Sequence, residues 1–202
     1  LKMERWKYTD LAPAVKGMST ETVAPRIHVQ NGENLVHEMT GAFPAAIPDM
    51  ALWDLAGAGR QGGIMVDVPA GKRVDRPVDI TIQGTDHAFF IPRTLIRLGA
   101  GAELTLIEHH QGAGRYWNNA LTQVIIAPGA TLRHIRIQDN PAQAVYTQNT
   151  HVTVDKGGRY EGFVLSAGSL LSRNEIFVEL EEAGASCSLS GVNLLQGKQH
   201  GD

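Results

Sequence analysis

The chain has 202 residues, a formal net charge of −3 and 19% charged side chains, a balance that excludes an electrostatic binder of nucleic acid or of a membrane surface. Aromatic residues make up only 6% while glycine supplies 22 positions; this suits many tight turns between β-branched strands, in one or two domains with a substantial core. A single cysteine excludes an internal disulfide framework and fits a reducing, cytoplasmic setting, and there is neither a bilayer-length apolar run nor a signal peptide.

In chain order, residues 1–62 form an N-terminal segment of mixed character and residues 63–202 a repetitive core. Trp6 and Tyr8 offer docking side chains at the start. Thr9 or Asp10 is placed to cap a short helix containing Leu11 and Val15, with Gly17 as its end. Residues 25–31 read as a short strand, with Asn31-Gly32 as its turn. Pro44 and Pro48 interrupt residues 34–59, where Asp49 is placed to cap a short helix through Leu55, ended by Gly57 or Gly59.

From Gly63 onward a repeat takes over. Gly101-Ala102, Gly129-Ala130, Gly157-Gly158 and Gly184-Ala185 recur 28, 28 and 27 residues apart, and Pro69-Ala70-Gly71 is a weaker member 30 residues earlier. Five residues before each glycine stand Val66, Ile96, Val124 and Val152; three before stand Val68, Leu98, Ile126 and Val154. Three after stand Val74, Leu104, Leu132, Tyr160 and Cys187; six after, Ile107, Ile135 and Phe163; eight after, His109, Ile137 and Leu165. The residues between, such as Arg97, Glu103, Arg136 and Glu161, are polar. Alternation at period two is the mark of a strand, and a fixed period of this length marks stacked units that bury their apolar rows only together. The glycines suit turns that need a positive φ.

These features predict an all-β, parallel β-helix flattened into two facing sheets, each coil running strand, glycine turn, strand and long return. On this alignment Glu108 and Arg136, 28 apart, face outward and pair across neighbouring rungs, an exposed contact worth about 0–1 kcal/mol. The run Leu180-Glu181-Glu182-Ala183 and the shorter last spacing predict an altered turn before Gly184, with Ile176, Val178 and Leu180 in line only after a shift. The chain starts at Leu1 and no cap follows Asp202, which predicts a piece of a longer solenoid whose open end associates through its strand edges.

Chemistry-bearing groups are few. Glu108 and His110 share one strand face at a chelating spacing of the kind a cupin-type metal site uses. The chain has no His-x-His, His134 stacks over Leu106 rather than over Glu108 or His110, and a metal needs three or four converging ligands. An ordinary surface or strand-end role is therefore the expectation. Cys187 falls in the column of Leu104, Leu132 and Tyr160 and reads as a small apolar filler; the functional alternative is a thiolate holding sulfur or iron. His200 and Asp202 on a last exposed strand are either ligands or simply solvated. Asp54, Asp67, Asp75 and Asp79 are scattered, and neither a phosphate-binding loop nor a nucleophile elbow is present. The Gly57-Ala58-Gly59 stretch is not preceded by a βαβ strand and carries no weight as a dinucleotide fingerprint.

Glu4-Arg5-Trp6-Lys7-Tyr8-Thr9 resembles the E-x-W-K/R-Y-T opening of the SufD branch of the SufB/SufD family. Gly168-Ser169-Leu170-Leu171-Ser172-Arg173-Asn174-Glu175-Ile176 is similar to the family's G-x-x-x-S/T-R-x-x-I region, and Glu179-Leu180, Gly184-Ala185, Leu189, Gly191 and Gln199-His200 follow in the family's order. The resemblance implies a right-handed parallel β-helix between helical domains, in a scaffold without catalytic residues that pairs with a SufB-type paralogue and a SufC-type ATPase. It implies a role in iron acquisition and cluster building, with an iron–sulfur cluster held transiently by the complex and none held tightly here. It also places the family's functional Cys and His beyond Asp202, outside this sequence together with the SufC-binding helices and most of the N-terminal helical domain. Residues 43–63 are shorter and richer in Gly and Ala than the family's segment. A β-helix carbohydrate-active enzyme is the alternative reading and a cupin-like metal binder a more distant one. Glu108, His110, Cys187 and His200 are the candidate ligands.

Overall fold

Six strands of ten residues each form the body of the described structure. The structure, a computed structural model, describes residues 9–19, 21–39 and 63–202. Two facing sheets are built from parallel neighbours. The first contains β1 (Arg26–Gln30), β4 (Val78–Gly84), β7 (Glu103–Gly112), β9 (Thr131–Asn140), β11 (Arg159–Gly168) and β13 (Ser186–Leu194), in that spatial order. The second runs from β2 (Val36–Met39) through β3 (Gly63–Val68), β6 (Arg93–Leu98), β8 (Trp117–Ile126), β10 (Val145–Val154) and β12 (Leu171–Leu180) to β14 (His200–Gly201). The two-residue β5 (Phe89–Phe90) pairs with β8. Only β1 on β4 and β2 on β3 are antiparallel, both at the N-terminal end of the stack.

The glycine columns are spatial columns. Val66, Ile96, Val124 and Val152 are successive partners in the second sheet, as are Val68, Leu98, Ile126 and Val154. Leu104, Leu132, Tyr160 and Cys187 are successive partners in the first. Val152 and Leu132 are fully buried. Each such side chain contributes about 1.5–3 kcal/mol by leaving water, and stacking like on like lets every coil close the apolar row of the one before it.

The repeated glycines adopt the left-handed conformation the alternation calls for, with φ of 68° at Gly101 and Gly129, 62° at Gly157 and 77° at Gly184. Their amides stitch the rungs together: Gly101 N–H donates to the Pro128 carbonyl at 2.9 Å, and Gly129 N–H to the Lys156 carbonyl at 2.9 Å. The turn before Gly184 is altered as expected. Val152 partners Val178 and Val154 partners Leu180, while Leu180 lies one residue further from its glycine than Val154 does.

Three expectations are corrected. The return is short, not long: β7 and β8 are separated by residues 113–116, and β11 and β12 by Ser169-Leu170 alone. The column of Ile107, Ile135 and Phe163 does stack in register, but on the outer face and only partly buried. Leu104 and Ile107 are three residues apart, and a strand of period two cannot show both to the same side. By the same parity Glu108 and Arg136 lie inside, where they are 1% exposed each, and not in an outer pair. Register pairing of opposite charges does occur outside, at Arg97–Asp67 (3.0 Å) and Arg133–Glu161 (2.9 Å).

The short helix α1 (Leu11–Val15) starts as expected: Asp10 caps it, its carboxylate accepting from Ala12 N–H at 3.1 Å, and Gly17 follows with φ of 75°. Ala14 packs with Leu11 and Val15 on Val145 and Leu171, on the outer face of the second sheet. The strand expected at residues 25–31 is β1. The helix expected at Asp49–Leu55 and the glycines at 57–59 lie outside the described residues.

Candidate functional site

The space between the sheets has two halves. Beside the glycine turns it is lined by Val, Ile and Leu. Toward the short returns the inward positions become polar. From β7 come Glu108 and His110, from β9 His134, Arg136 and Gln138, from β8 Asn118 and Thr122, and from β10 Tyr146, Gln148 and Thr150, all buried. The first-sheet column that begins with Ile80 continues as Glu108 and Arg136, and the one that begins with Ile82 continues as His110 and Gln138. Polarity thus grows rung by rung away from the antiparallel end.

Glu108 is the centre of this region. One carboxylate oxygen is 2.7 Å from His110 Nε2 and the other is 2.9 Å from His134 Nε2. Asn118 Nδ2 lies 3.1 Å from His110 Nδ1, and the Tyr160 hydroxyl 3.2 Å from His134 Nδ1. One assignment satisfies all four contacts. Both imidazoles are neutral, with Nε2–H donating to an ionised carboxylate and Nδ1 accepting from Asn118 and Tyr160. Burial by itself would raise the Glu108 carboxyl, but the two histidine hydrogen bonds outweigh it and hold the group well below the usual carboxylate range. Burial pushes His134 down, against the opposing pull of Glu108. The Tyr160 hydroxyl is pushed up to about 12 by burial, and that of Tyr146, edge-on to His110 with ring centroids 5.0 Å apart, is also raised by burial. In this assignment Glu108 is a buried anion among neutral donors.

Arg136, next to Glu108 across the rung, donates from Nη2 to Thr150 Oγ1 at 2.9 Å on the opposite sheet. Beyond it Gln138 is fully engaged. Its amide donates to the Ala167 carbonyl and to Ser169 Oγ, both at 2.8 Å, and its carbonyl accepts from the hydroxyls of Ser166 and Ser172. The cluster joins three rungs of the first sheet to the second by side-chain hydrogen bonds.

The sequence candidates separate. Glu108 and His110 come together, and the surface or strand-end role expected of them is corrected by their complete burial. His134 does stack over Leu106, yet its ring reaches diagonally to Glu108, so column position alone misjudged its partner. Among the described residues no three or more His, Cys, Asp or Glu side chains are grouped to hold a metal ion. Cys187 sits over Tyr160 in its column, partly buried against the apolar core, and burial raises its thiol above the ordinary range. That environment opposes a thiolate. His200 belongs to a separate cluster, with its Nε2 3.4 Å from Thr9 Oγ1. There Asp202 accepts from both the Thr9 hydroxyl and the Arg173 guanidinium, and Arg173 also reaches Glu175 at 2.8 Å. This second cluster ties the residue before the α1 cap to the last rung. Arg136, Tyr146, Tyr160 and Asn118 were not singled out from sequence as site residues; the even parity running from Leu104 through Leu106 to Glu108 and His110 was the available signal.

Residues 80–202, more than half of the chain, match the family model for the SUF system FeS cluster assembly SufBD core domain. The chain is 24% identical over 157 residues to Protein ABCI7, chloroplastic, of Arabidopsis thaliana, covering 72% of this chain and 32% of that protein. It is 22% identical over 158 residues to the iron-sulfur cluster assembly SufBD family protein slr0076 of Synechocystis sp. (strain ATCC 27184 / PCC 6803 / Kazusa), covering 72% of this chain and 35% of that protein. The chain thus spans about a third of the length of these relatives. No solved structure matches it. Among the described residues no helix is long and apolar enough to cross a membrane. The glycine-stacked parallel coils and the family match over β4–β14 agree, and the chain belongs to the SufB/SufD family of iron–sulfur cluster assembly proteins.

Proposed function

We propose that this chain is the core of a non-catalytic scaffold subunit of an iron–sulfur cluster assembly complex, on the SufD side of the family. In this reading it pairs with a SufB-type paralogue and a SufC-type ATPase in the cytoplasm. The iron–sulfur cluster is cargo, built and handed on by the whole complex, to which this subunit contributes iron acquisition and shape. The observation that carries the reading is the match of residues 80–202 to the SufBD core domain, laid on a solenoid whose facing sheets are tied together by buried side-chain hydrogen bonds.

The test is purification of the full-length protein from its native host under anaerobic conditions, with mass spectrometry of what accompanies it. A SufB-type paralogue and an ABC ATPase in stoichiometric amount are expected. A protein purified free of both, from cells that express both, would rule the scaffold reading out. In the same host Cys187→Ala should leave cluster assembly at the wild-type level; a folded C187A protein that abolishes assembly would assign the thiol a chemical role.

A further inference from the structure

Residues 9–19 and 21–23 run along the outer face of the second sheet, against the direction in which the rungs are built. They follow one register row, in which Phe89, Trp117, Val145, Leu171 and His200 are successive partners in neighbouring strands. At one end Val23 N–H donates to the Phe89 carbonyl at 2.9 Å, and Thr22 bridges the same residue. Arg115, two residues before Trp117, donates from Nη2 to the Lys16 carbonyl at 2.7 Å. Leu11, Ala14, Val15 and Met18 pack with Trp117, Val145 and Leu171. At the other end Thr9 meets His200, Asp202 and Arg173. From Thr9 to Thr22 the segment crosses four strand spacings, about 19 Å. Along the way it is thinly held: Ala12, Pro13, Lys16 and Gly17 are exposed, and Thr9 and Ala14 are its only buried side chains among the described residues.

Rungs of a solenoid touch only their neighbours, so distant rungs ordinarily open independently of one another. We infer that this segment is a longitudinal strap that makes the β12–β14 end of the stack and the β5 end open together, with the Thr9 hydroxyl as its catch. The catch is built on fixed backbone. Asp202, which accepts from Thr9 and from the Arg173 guanidinium, is itself held to β12: its N–H donates to the Ser172 carbonyl and its carbonyl accepts from Asn174 N–H, both at 2.9 Å. The middle of the strap is a five-residue helix, far too short to stand without its docked face. With Thr9 released, that face keeps Ala14 alone as a buried anchor, and the strap lifts as a unit. Lifting it bares the row of Trp117, Val145 and Leu171 and removes the partner of Phe89 at the far end.

The test is hydrogen–deuterium exchange, read by mass spectrometry, on the full-length protein and its Thr9→Val variant, which keeps the side-chain shape and loses the hydroxyl. Peptides carrying the Asp202 N–H at one end and the Val23 N–H at the other should both exchange at least about tenfold faster in T9V, the weight of one hydrogen bond to a charged group in an opening equilibrium. A peptide carrying the Thr131 N–H, which donates to the Ala102 carbonyl at 2.8 Å on the first sheet, should be unchanged. Ala14→Asp, which lifts the middle of the strap, should accelerate the same two ends. Acceleration at Asp202 with Val23 at the wild-type rate overturns the inference, since Thr9 is then a local contact of the β14 rung. Uniform acceleration that includes Thr131 also overturns it, because the segment is then an ordinary part of the core. Should A14D fail to fold, the T9V protein decides.

Discussion

Replacing Glu108 is the sharpest perturbation of the lumen. The carboxylate is 1% exposed and accepts from His110 at 2.7 Å and His134 at 2.9 Å. Glu108→Ala leaves two buried N–H donors with nothing to meet, and an unsatisfied buried donor costs about 1–3 kcal/mol. It also removes the only negative charge near Arg136 in the cluster, and deleting one member of a buried charge network costs about 3–5 kcal/mol. These penalties describe overlapping contacts and do not add, so the expected loss is about 4 kcal/mol. Glu108→Gln keeps the shape and one acceptor, and obliges one histidine to present a bare nitrogen to the new amide. His134 can do so at small cost because the Tyr160 hydroxyl can accept as readily as donate; about 2 kcal/mol is expected, the weight of one charge-assisted hydrogen bond. Urea denaturation at pH 7.5, followed by tryptophan fluorescence and circular dichroism, measures both. An E108A protein that loses less than about 0.5 kcal/mol, the range of an exposed site, would refute the buried network, as would an E108Q protein less stable than E108A.

Stability should also depend on pH in two stages. His134 is held below its ordinary value of 6.5 by burial, so beneath that pH the unfolded chain binds the proton more readily than the folded one. Stability is complete above pH 6.5 and falls as pH drops, by up to about 1.4 kcal/mol per pH unit for one proton. Glu108 is held well below its ordinary value of 4.5, so its contribution is full above that pH and drains away below it. Thermal melts from pH 8 to pH 3.5 should show both stages, with the first missing in His134→Gln; a flat profile between pH 7.5 and 5.5 would contradict the neutral assignment. Two glycines separate strain from collision. Gly129, at φ 68° with nothing within 4 Å of an added Cβ, should tolerate Ala at about 1–2 kcal/mol, the left-handed penalty alone. Gly168, at φ 71°, would put that Cβ 1.7 Å from the Asn140 carbonyl oxygen, so G168A should not yield soluble folded protein. Equal melting temperatures for the two variants would show that the close approach of the rungs at Gly168 is wrong.

The fold was legible because a solenoid writes its geometry into the sequence at one fixed interval. The glycine spacing gave the number of residues per rung, and the residues three and five before the glycines from Gly71 to Gly157 gave the inner face of the second sheet; only the rung before Gly184 needed a shift of one. The reading failed in the first sheet after the turn, where the apolar residues Leu104 and Ile107 lie at odd spacing. Following hydrophobicity there, rather than the parity fixed by Leu104, carried Glu108 and Arg136 to the outside. The outer face of this sheet is apolar enough at Ile107, Ile135 and Phe163 to imitate a core row, while the lumen at the same level is polar. Burial and hydrophobicity, which usually travel together, part company here.

That separation explains why the candidate site was partly visible and mostly missed. Glu108 and His110 lie two apart on one strand and announce themselves. His134, 26 residues from Glu108 in sequence, stands one rung away and diagonally across, a relation that column alignment alone does not give because it compares positions and not the reach of side chains. Tyr160 is the next step of the same diagonal, two rungs from Glu108. A polar cluster inside a solenoid is therefore better sought by listing, for three consecutive rungs, every residue of inward parity and letting long side chains reach one rung either way. Applied to β7, β9 and β11, that rule returns the polar residues Glu108, His110, His134, Arg136, Gln138, Asn140, Tyr160 and Ser166, all buried, and it follows from the strand spacing of about 4.8 Å, which any Glu, His, Arg or Tyr side chain can span.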